Sequence, residues 1–312
     1  MCNLRLGQWP SGGLGHATLS LNNLKTTGLF TTHRVEIVAK LGEPIKFIPF
    51  GDIHRDSDMF AHEHWQRFLA HAKQQKNAIF LGMGDYTDGV STSERIVLSN
   101  SGMHDTTTNT LKDVYKGVAK TLHNELSFMK GKLIGMLGGN HYFDFQNGDT
   151  TDHILAASLG TKFLGVCSFI RLSFRFENRV GVKASLDIFA HHGKGGGSTP
   201  GGQFNTIEKM STTADADFYL MGHTHGKGCL PSTPRLKLTS TGKNAELCIK
   251  ERTPWLGRTG SFLKAYEHNK VSYNVDAGRS PASLGWIEFE ITPVRNLKNG
   301  QDVIEFEIRG TA

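Results

Sequence analysis

The sequence predicts an α/β protein in which mixed β-sheets pack face to face with helices outside. Two observations predict it. From residue 31 onward, short apolar runs of β character alternate with stretches whose apolar residues recur every three to four positions. Further on, "SFIRLSFRFENRVGVKASLDIFA" (168–190) reads as two strands joined by a turn, an antiparallel pair inside an otherwise alternating pattern.

Residues 1–30 are rich in Gly, Ser, Thr and Asn without a sustained period, which predicts an irregular N-terminal arm or an edge extension rather than a domain. Residues 31–312 then form a single domain, long enough to bury a full core. "PIKFIPF" reads as a strand. Residues 59–76 read as a helix with Phe60, His64, Trp65, Phe68, Leu69 and Ala72 on one face, and "NAIFLGMG" as the next strand. A Ser/Thr/Asn loop from Gly89 to about Thr110 leads to a helix carrying Leu111, Val114, Tyr115, Val118, Leu122, Leu126 and Met129, followed by the strand "KLIGMLG". Short helices are predicted near 152–159 and 204–213, the second followed by the strand "DFYLMG"; "SLGWIEFEI" and "DVIEFEI" are strand-like runs near the end. Phe169, Phe174, Phe176 and Phe189 alternate as core residues do, which speaks against base-stacking platforms.

The net charge of +6 suits a polyanionic substrate, although no Lys/Arg stripe marks a nucleic-acid surface. Cys2, Cys167, Cys229 and Cys248 show no C-x-x-C spacing and read as reduced thiols. The first residues lack an apolar signal core, and no run of about 18 apolar residues occurs. The expectation is a cytoplasmic protein with no membrane span.

The chemistry gathers where strands end, as functional groups do in α/β sheets. Five predicted strands end in "GDIH" (Asp52, His54), "GDYTDG" (Asp85, Asp88), "GGNHY" (Asn140, His141), "AHHG" (His191, His192) and "GHTH" (His223, His225). One such cluster means little: with 15 Asp and 15 His in 312 positions, about 0.7 Asp-x-His pairs arise by chance. Five clusters, each following a β-like apolar run and each beside Gly, do not. Asp, Asn and His without Cys suit Mn, Fe, Zn or Ni, and seven or more ligands exceed what one ion takes. Two divalent ions sharing a carboxylate account for the number, a known device for clamping a phosphoryl centre.

In these blocks the sequence resembles the calcineurin-like metallophosphoesterase family, with D-x-H, G-D-x-x-D, G-N-H, a lone His and G-H-x-H in that order over residues 52–225. The resemblance implies a four-layer αββα sandwich of two mixed β-sheets flanked by helices, with a dinuclear site at the strand ends. It implies that Asp52, His54, Asp85 and His225 hold one ion and that Asp85, Asn140, His192 and His223 hold the other, His191 being the alternative to His192. His141 is implied as general acid and Asp88 as the group that orients it, while a metal-bridging hydroxide attacks phosphorus in line. Two departures stand out: Tyr142 follows G-N-H where many members have Glu or Asp, and Gly89 stands where protein phosphatases carry Arg. The implied activity is a metal-dependent phosphoesterase, with Mn the first choice of metal and a tilt toward nucleic acid or nucleotide diesters. A small-metabolite phosphomonoesterase and a catalytically inactive scaffold are the alternatives. Arg55, beside the first block, reads as a solvated side chain or a phosphate contact. "HHGKGGGSTPGGQFN" lacks the spacing of a phosphate-binding loop, with Lys194 its one possible contact, and His62, His64 and His71 read as surface or partly packed helix residues.

Overall fold

The computed structural model describes residues 18–26, 30–100, 102–145, 147–177, 179–195, 199–241, 246–270, 273–276, 278, 280–298 and 301–312. Strands form where β-branched and aromatic residues cluster, and two mixed sheets result. The larger contains β1 (Thr18–Thr26), β2 (Thr31–Ala39), β6 (Cys167–Phe176), β7 (Arg179–His191), β8 (Phe218–Met221), β12 (Trp255–Thr259) and β9 (Lys227–Pro231), in that spatial order. The smaller runs β14 (Gln301–Thr311), β13 (Glu288–Lys298), β3 (Ile45–Phe50), β4 (Ala78–Gly82) and β5 (Leu133–Met136).

Val35, Phe47, Leu81, Ile134, Leu172, Ile188, Leu220 and Ile291 meet between the sheets in one buried layer. Outside the smaller sheet lie α1 (His62–Gln74), α3 (Asp105–Leu126) and α4 (Thr151–Ser158), whose Trp65, Phe68, Leu122 and Leu155 cover Phe50 and Phe80. Outside the larger sheet, α5 (Pro200–Thr213) lays Ile207 and Met210 over Tyr219, Met221 and Leu256. The protein is therefore a four-layer αββα sandwich. β6 and β7 pair antiparallel, as predicted.

Over Thr18–Thr26 the N-terminal arm is the edge extension rather than irregular, a strand antiparallel to β2 at the edge of the larger sheet. One expectation changes. The stretch expected as a loop from Gly89 to Thr110 holds α2 (Thr92–Asn100) and the first turn of α3, capped where the His104 side chain accepts from the Thr106 N–H. β10 (Arg235–Thr241) and β11 (Glu246–Arg252) form a separate two-stranded sheet. Among the described residues no helix is long and apolar enough to cross a membrane.

For function, the decisive feature is direction. β3, β4 and β5 run parallel within one sheet, and β7 and β8 run parallel within the other. The segments that follow these five strands meet at one rim and bind each other. Asp52 N–H donates to Gly84 O at 2.9 Å, Ile53 N–H to Asp85 O at 2.7 Å, and Gly222 N–H to His192 O at 2.8 Å. Across the two sheets, His223 N–H donates to the Asp52 carboxylate at 2.9 Å.

Candidate metal centre

Each turn out of a strand is sharp, and the backbone shows it. Asp52, His54, Asp85, His223 and His225 have φ of 47°, 48°, 49°, 66° and 57°, a left-handed region that costs a residue with a Cβ roughly 1–3 kcal/mol. Such conformations persist only where surroundings hold them. Here the inter-loop hydrogen bonds do so, and close approach by glycine makes them possible. A Cβ on Gly139 would stand 2.0 Å from Asp85 Oδ1, and one on Gly84 would stand 2.6 Å from His192 Nδ1.

The side chains projected by these turns converge. Asp52, His54 and His225 offer ligand atoms within 4.8 Å of one another, and so do Asp85, His192 and His223. Asn140 joins the second group, its Oδ1 lying 3.0 Å from His192 Nε2 and 2.7 Å from His223 Nδ1. Asp85 stands between them: its Oδ2 is 3.7 Å from His54 Nε2 and 3.3 Å from His192 Nε2, while its Oδ1 accepts from the His141 N–H at 2.8 Å. All seven ligands expected from the sequence are thus brought together.

The choice between the two adjacent histidines follows the strand. His192 is buried and faces the cluster, its Nδ1 2.8 Å from Met83 O, whereas His191 Nδ1 accepts from the Gly193 N–H. Donating Nδ1–H to a carbonyl leaves Nε2 as the nitrogen facing the cluster, free to ligate once its own proton is expelled. His54 is held alike, with Nδ1 2.7 Å from Asp88 Oδ1. Its Nε2 is buried and has no hydrogen-bond partner. An unsatisfied buried imidazole nitrogen aimed at a carboxylate and a second imidazole is what a cation would satisfy.

This geometry revises the expected role of Asp88. Its carboxylate serves His54, lying 3.8 Å from His141 Nδ1, and the Asp88 backbone carbonyl accepts from that nitrogen at 2.7 Å. Asp88, His54 and His141 also form a third compact group. Asp56, which the sequence did not single out, fixes the Asp88 loop by accepting the Asp88 N–H at 2.6 Å. Arg55 neither floats in solvent nor waits for phosphate: its guanidinium pairs with Glu125 at 2.9 Å.

The charges are strongly perturbed. Burial pushes the Asp52 carboxyl up to about 7, against the pull of His192. Burial would raise Asp85 too, but the His192, His54 and His141 imidazoles hold it well below the carboxylate range. Burial alone would lower His192, and the Asp85 and Asp52 carboxylates instead raise it to about 9. Burial, with the charge of His192 and of His54 respectively, lowers His223 to about 4 and His225 to about 3, so both are neutral at pH 7 and able to ligate.

Three more residues support the rim, and none carried a local signal. Buried Asp152, at the start of α4, accepts the Gly139 N–H at 3.1 Å. Arg95, on α2, donates to Asn140 O at 3.0 Å and stacks over the Tyr142 ring at 3.8 Å. Tyr142 thus meets the Arg95 guanidinium twice, through its ring and through its backbone carbonyl, which accepts at 3.3 Å. Arg258 on β12 is 1% exposed, and none of its three side-chain nitrogens has a hydrogen-bond partner. Its charge acts on Asp52 and His223.

Fold and site together define an αββα sandwich whose strand-end His, Asp and Asn side chains form two adjoining clusters able to hold divalent cations. No family model matches the chain, and no curated protein does. Among solved structures the chain is similar to Vps29 from Cryptosporidium parvum (13% identity, 86% of this chain and 99% of that one, TM-score 0.34). It is also similar to Vps29 from Entamoeba histolytica complexed with zinc (13%, 85% and 99%, 0.35). A third is GAP50, the anchor in the inner membrane complex of Plasmodium (12%, 85% and 88%, 0.39).

Proposed function

We propose that the protein is a dinuclear metal-dependent phosphoesterase that favours phosphodiesters of the nucleic acid or nucleotide class. One observation carries the reading: a single oxygen, Asp85 Oδ2, faces both the His54 and the His192 ligand nitrogens, the place of a carboxylate shared by two ions. Asp52, His54, Asp85 and His225 would hold one cation, and Asp85, Asn140, His192 and His223 the other. Nitrogen and oxygen donors without thiolate fit Mn, with Fe, Zn and Ni as chemically similar occupants. Cations there supply Lewis acidity toward a phosphoryl oxygen and a water.

The protein's own part is to place and protonate. His141 donates Nδ1–H to the Asp88 carbonyl, which fixes the ring and leaves Nε2 as the nitrogen that hands a proton to a departing oxygen. His54, next to it at 5.0 Å between ring centroids, is held by the Asp88 carboxylate, so one loop sets both rings. The net charge of +6 favours a polyanionic substrate.

The test is hydrolysis of bis(p-nitrophenyl) phosphate and p-nitrophenyl phosphate with added Mn²⁺. We expect faster turnover of the diester, reduced about 10²–10⁴-fold in His141→Ala. Preference for the monoester would assign a small-metabolite phosphatase. Turnover of neither ester, with no metal bound on elemental analysis, would favour a scaffold.

Metal uptake has a definite pH dependence. With its pKa near 9, His192 carries a proton at pH 7 that an incoming cation must expel. Burial would lower His54, but the Asp88, Asp85 and Asp52 carboxylates raise it, so it too gives up a proton less readily than a free imidazole. Affinity therefore rises with pH, at least about tenfold per unit while His192 is protonated. Below pH 7 the slope steepens, because Asp52, with its pKa near 7, is protonated as well. Calorimetric Mn²⁺ titrations between pH 6 and 9, in buffers of differing ionisation enthalpy, read both the slope and the released protons.

A further inference from the structure

Just past His225, a cavity of about 420 Å³ opens between α1, the start of β9 and the segment leading into β13. Its lining includes Arg67, Lys227, His64, Trp286, Leu284 and Glu288. The donors among these are unspent. Arg67 reaches only its own helix, through Glu63 O at 3.4 Å and the His64 ring at 3.3 Å, and pairs with no carboxylate among the described residues. Lys227 likewise forms no ion pair among the described residues; its Nζ lies 3.6 Å from where a Cβ on Gly285 would be. Two acidic groups also line the cavity: Glu288 is already engaged, binding Lys46 at 3.0 Å and His71 at 2.7 Å, and the carboxylate of Ala312 forms no ion pair with Arg67 or Lys227 among the described residues.

The cations act on their neighbour: the His64 imidazole is lowered by burial and by the charge of Arg67, against the opposing pull of Glu63, with Lys227 and Lys264 adding to the lowering. Beside these cations, Leu284 and the half-buried Trp286 offer an apolar wall, the indole braced from behind by Phe68 at 5.3 Å and His71 at 5.2 Å. The space is far larger than a bare phosphate and falls in the range of small-molecule sites. Unpaired cations on one side and a braced aromatic wall on the other select an anion that carries a flat apolar group.

We infer that this cavity binds a nucleotide-class ligand, with phosphate oxygens on Arg67 and Lys227 and the base against Leu284 and Trp286. The inference goes beyond the phosphoesterase reading and does not rest on it. The probe is adenosine 5′-diphosphate, titrated into the full chain in EDTA so that metal ligands at the rim contribute nothing. We expect one-to-one binding, weakened at least about tenfold in Arg67→Ala and in Lys227→Ala. Adenosine and inorganic phosphate should each bind at least about tenfold more weakly than the diphosphate. Mn²⁺ uptake by both variants should equal that of the parent chain, showing that the fold is intact. Absence of binding in EDTA, binding indifferent to both substitutions, or phosphate binding as tightly as the nucleotide would overturn the assignment.

Discussion

Asp85→Asn is expected to lose both cations at once. The substitution keeps the shape of a side chain buried at the centre of the rim, and Oδ1 can still accept the His141 N–H. What it removes is the charge facing His54 and His192, and it can turn an N–H donor toward one of those ring nitrogens. Loss of a ligand common to both ions should lower uptake of each at least about 100-fold, more than a supporting hydrogen bond commands. A second readout needs no metal. Without the carboxylate that most strongly raises it, the His192 pKa should fall from about 9, which an NMR titration of the metal-free variant measures. Two tightly held ions in Asp85→Asn would end the shared-carboxylate reading.

Gly139→Ala should damage fold and site together. Its Cβ would lie 2.0 Å from Asp85 Oδ1 and 2.2 Å from the Asp85 backbone nitrogen. Neither atom can swing away, because the Asp85 carbonyl is tied to Ile53 and His54 and its carboxylate to His141. Relief then requires moving the turn that carries Asn140 and His141. We expect a loss of about 3 kcal/mol in stability, the upper part of the usual overpacking range, with metal uptake falling in parallel. Gly117→Ala is the control: it lies within α3, nothing stands within 4 Å of its would-be Cβ, and the change should gain up to about 1 kcal/mol. Equal thermal midpoints for the two variants would contradict the packing argument.

The seven residues expected to ligate were legible because their signal is local. Each block sits directly behind an apolar strand, its glycine is written beside its ligand, and parallel strands bring their ends together without further information. The supporting residues carry no such mark. Asp88 follows Asp85 at a spacing that suits either histidine, and only the fold decides that its carboxylate goes to His54. Arg258 lies in a strand where alternation predicts no more than a side of the sheet. β1 was legible only as a possible edge extension because "TLSLNNLKT" is polar for a strand and relies on β2 for its pairing. α2 escaped because Ile96 and Val97 are exposed and leave the helix without a clean apolar stripe.

Five of the seven residues expected to ligate hold a backbone conformation that residues with side chains ordinarily avoid, and hydrogen bonds between neighbouring turns support it. The expected consequence is a receptacle that the chain's own hydrogen bonds set. Occupancy should proceed as a simple bimolecular encounter, its rate proportional to cation concentration with no plateau from a preceding rearrangement, and stripping the ions should leave amide exchange at these turns as slow as before.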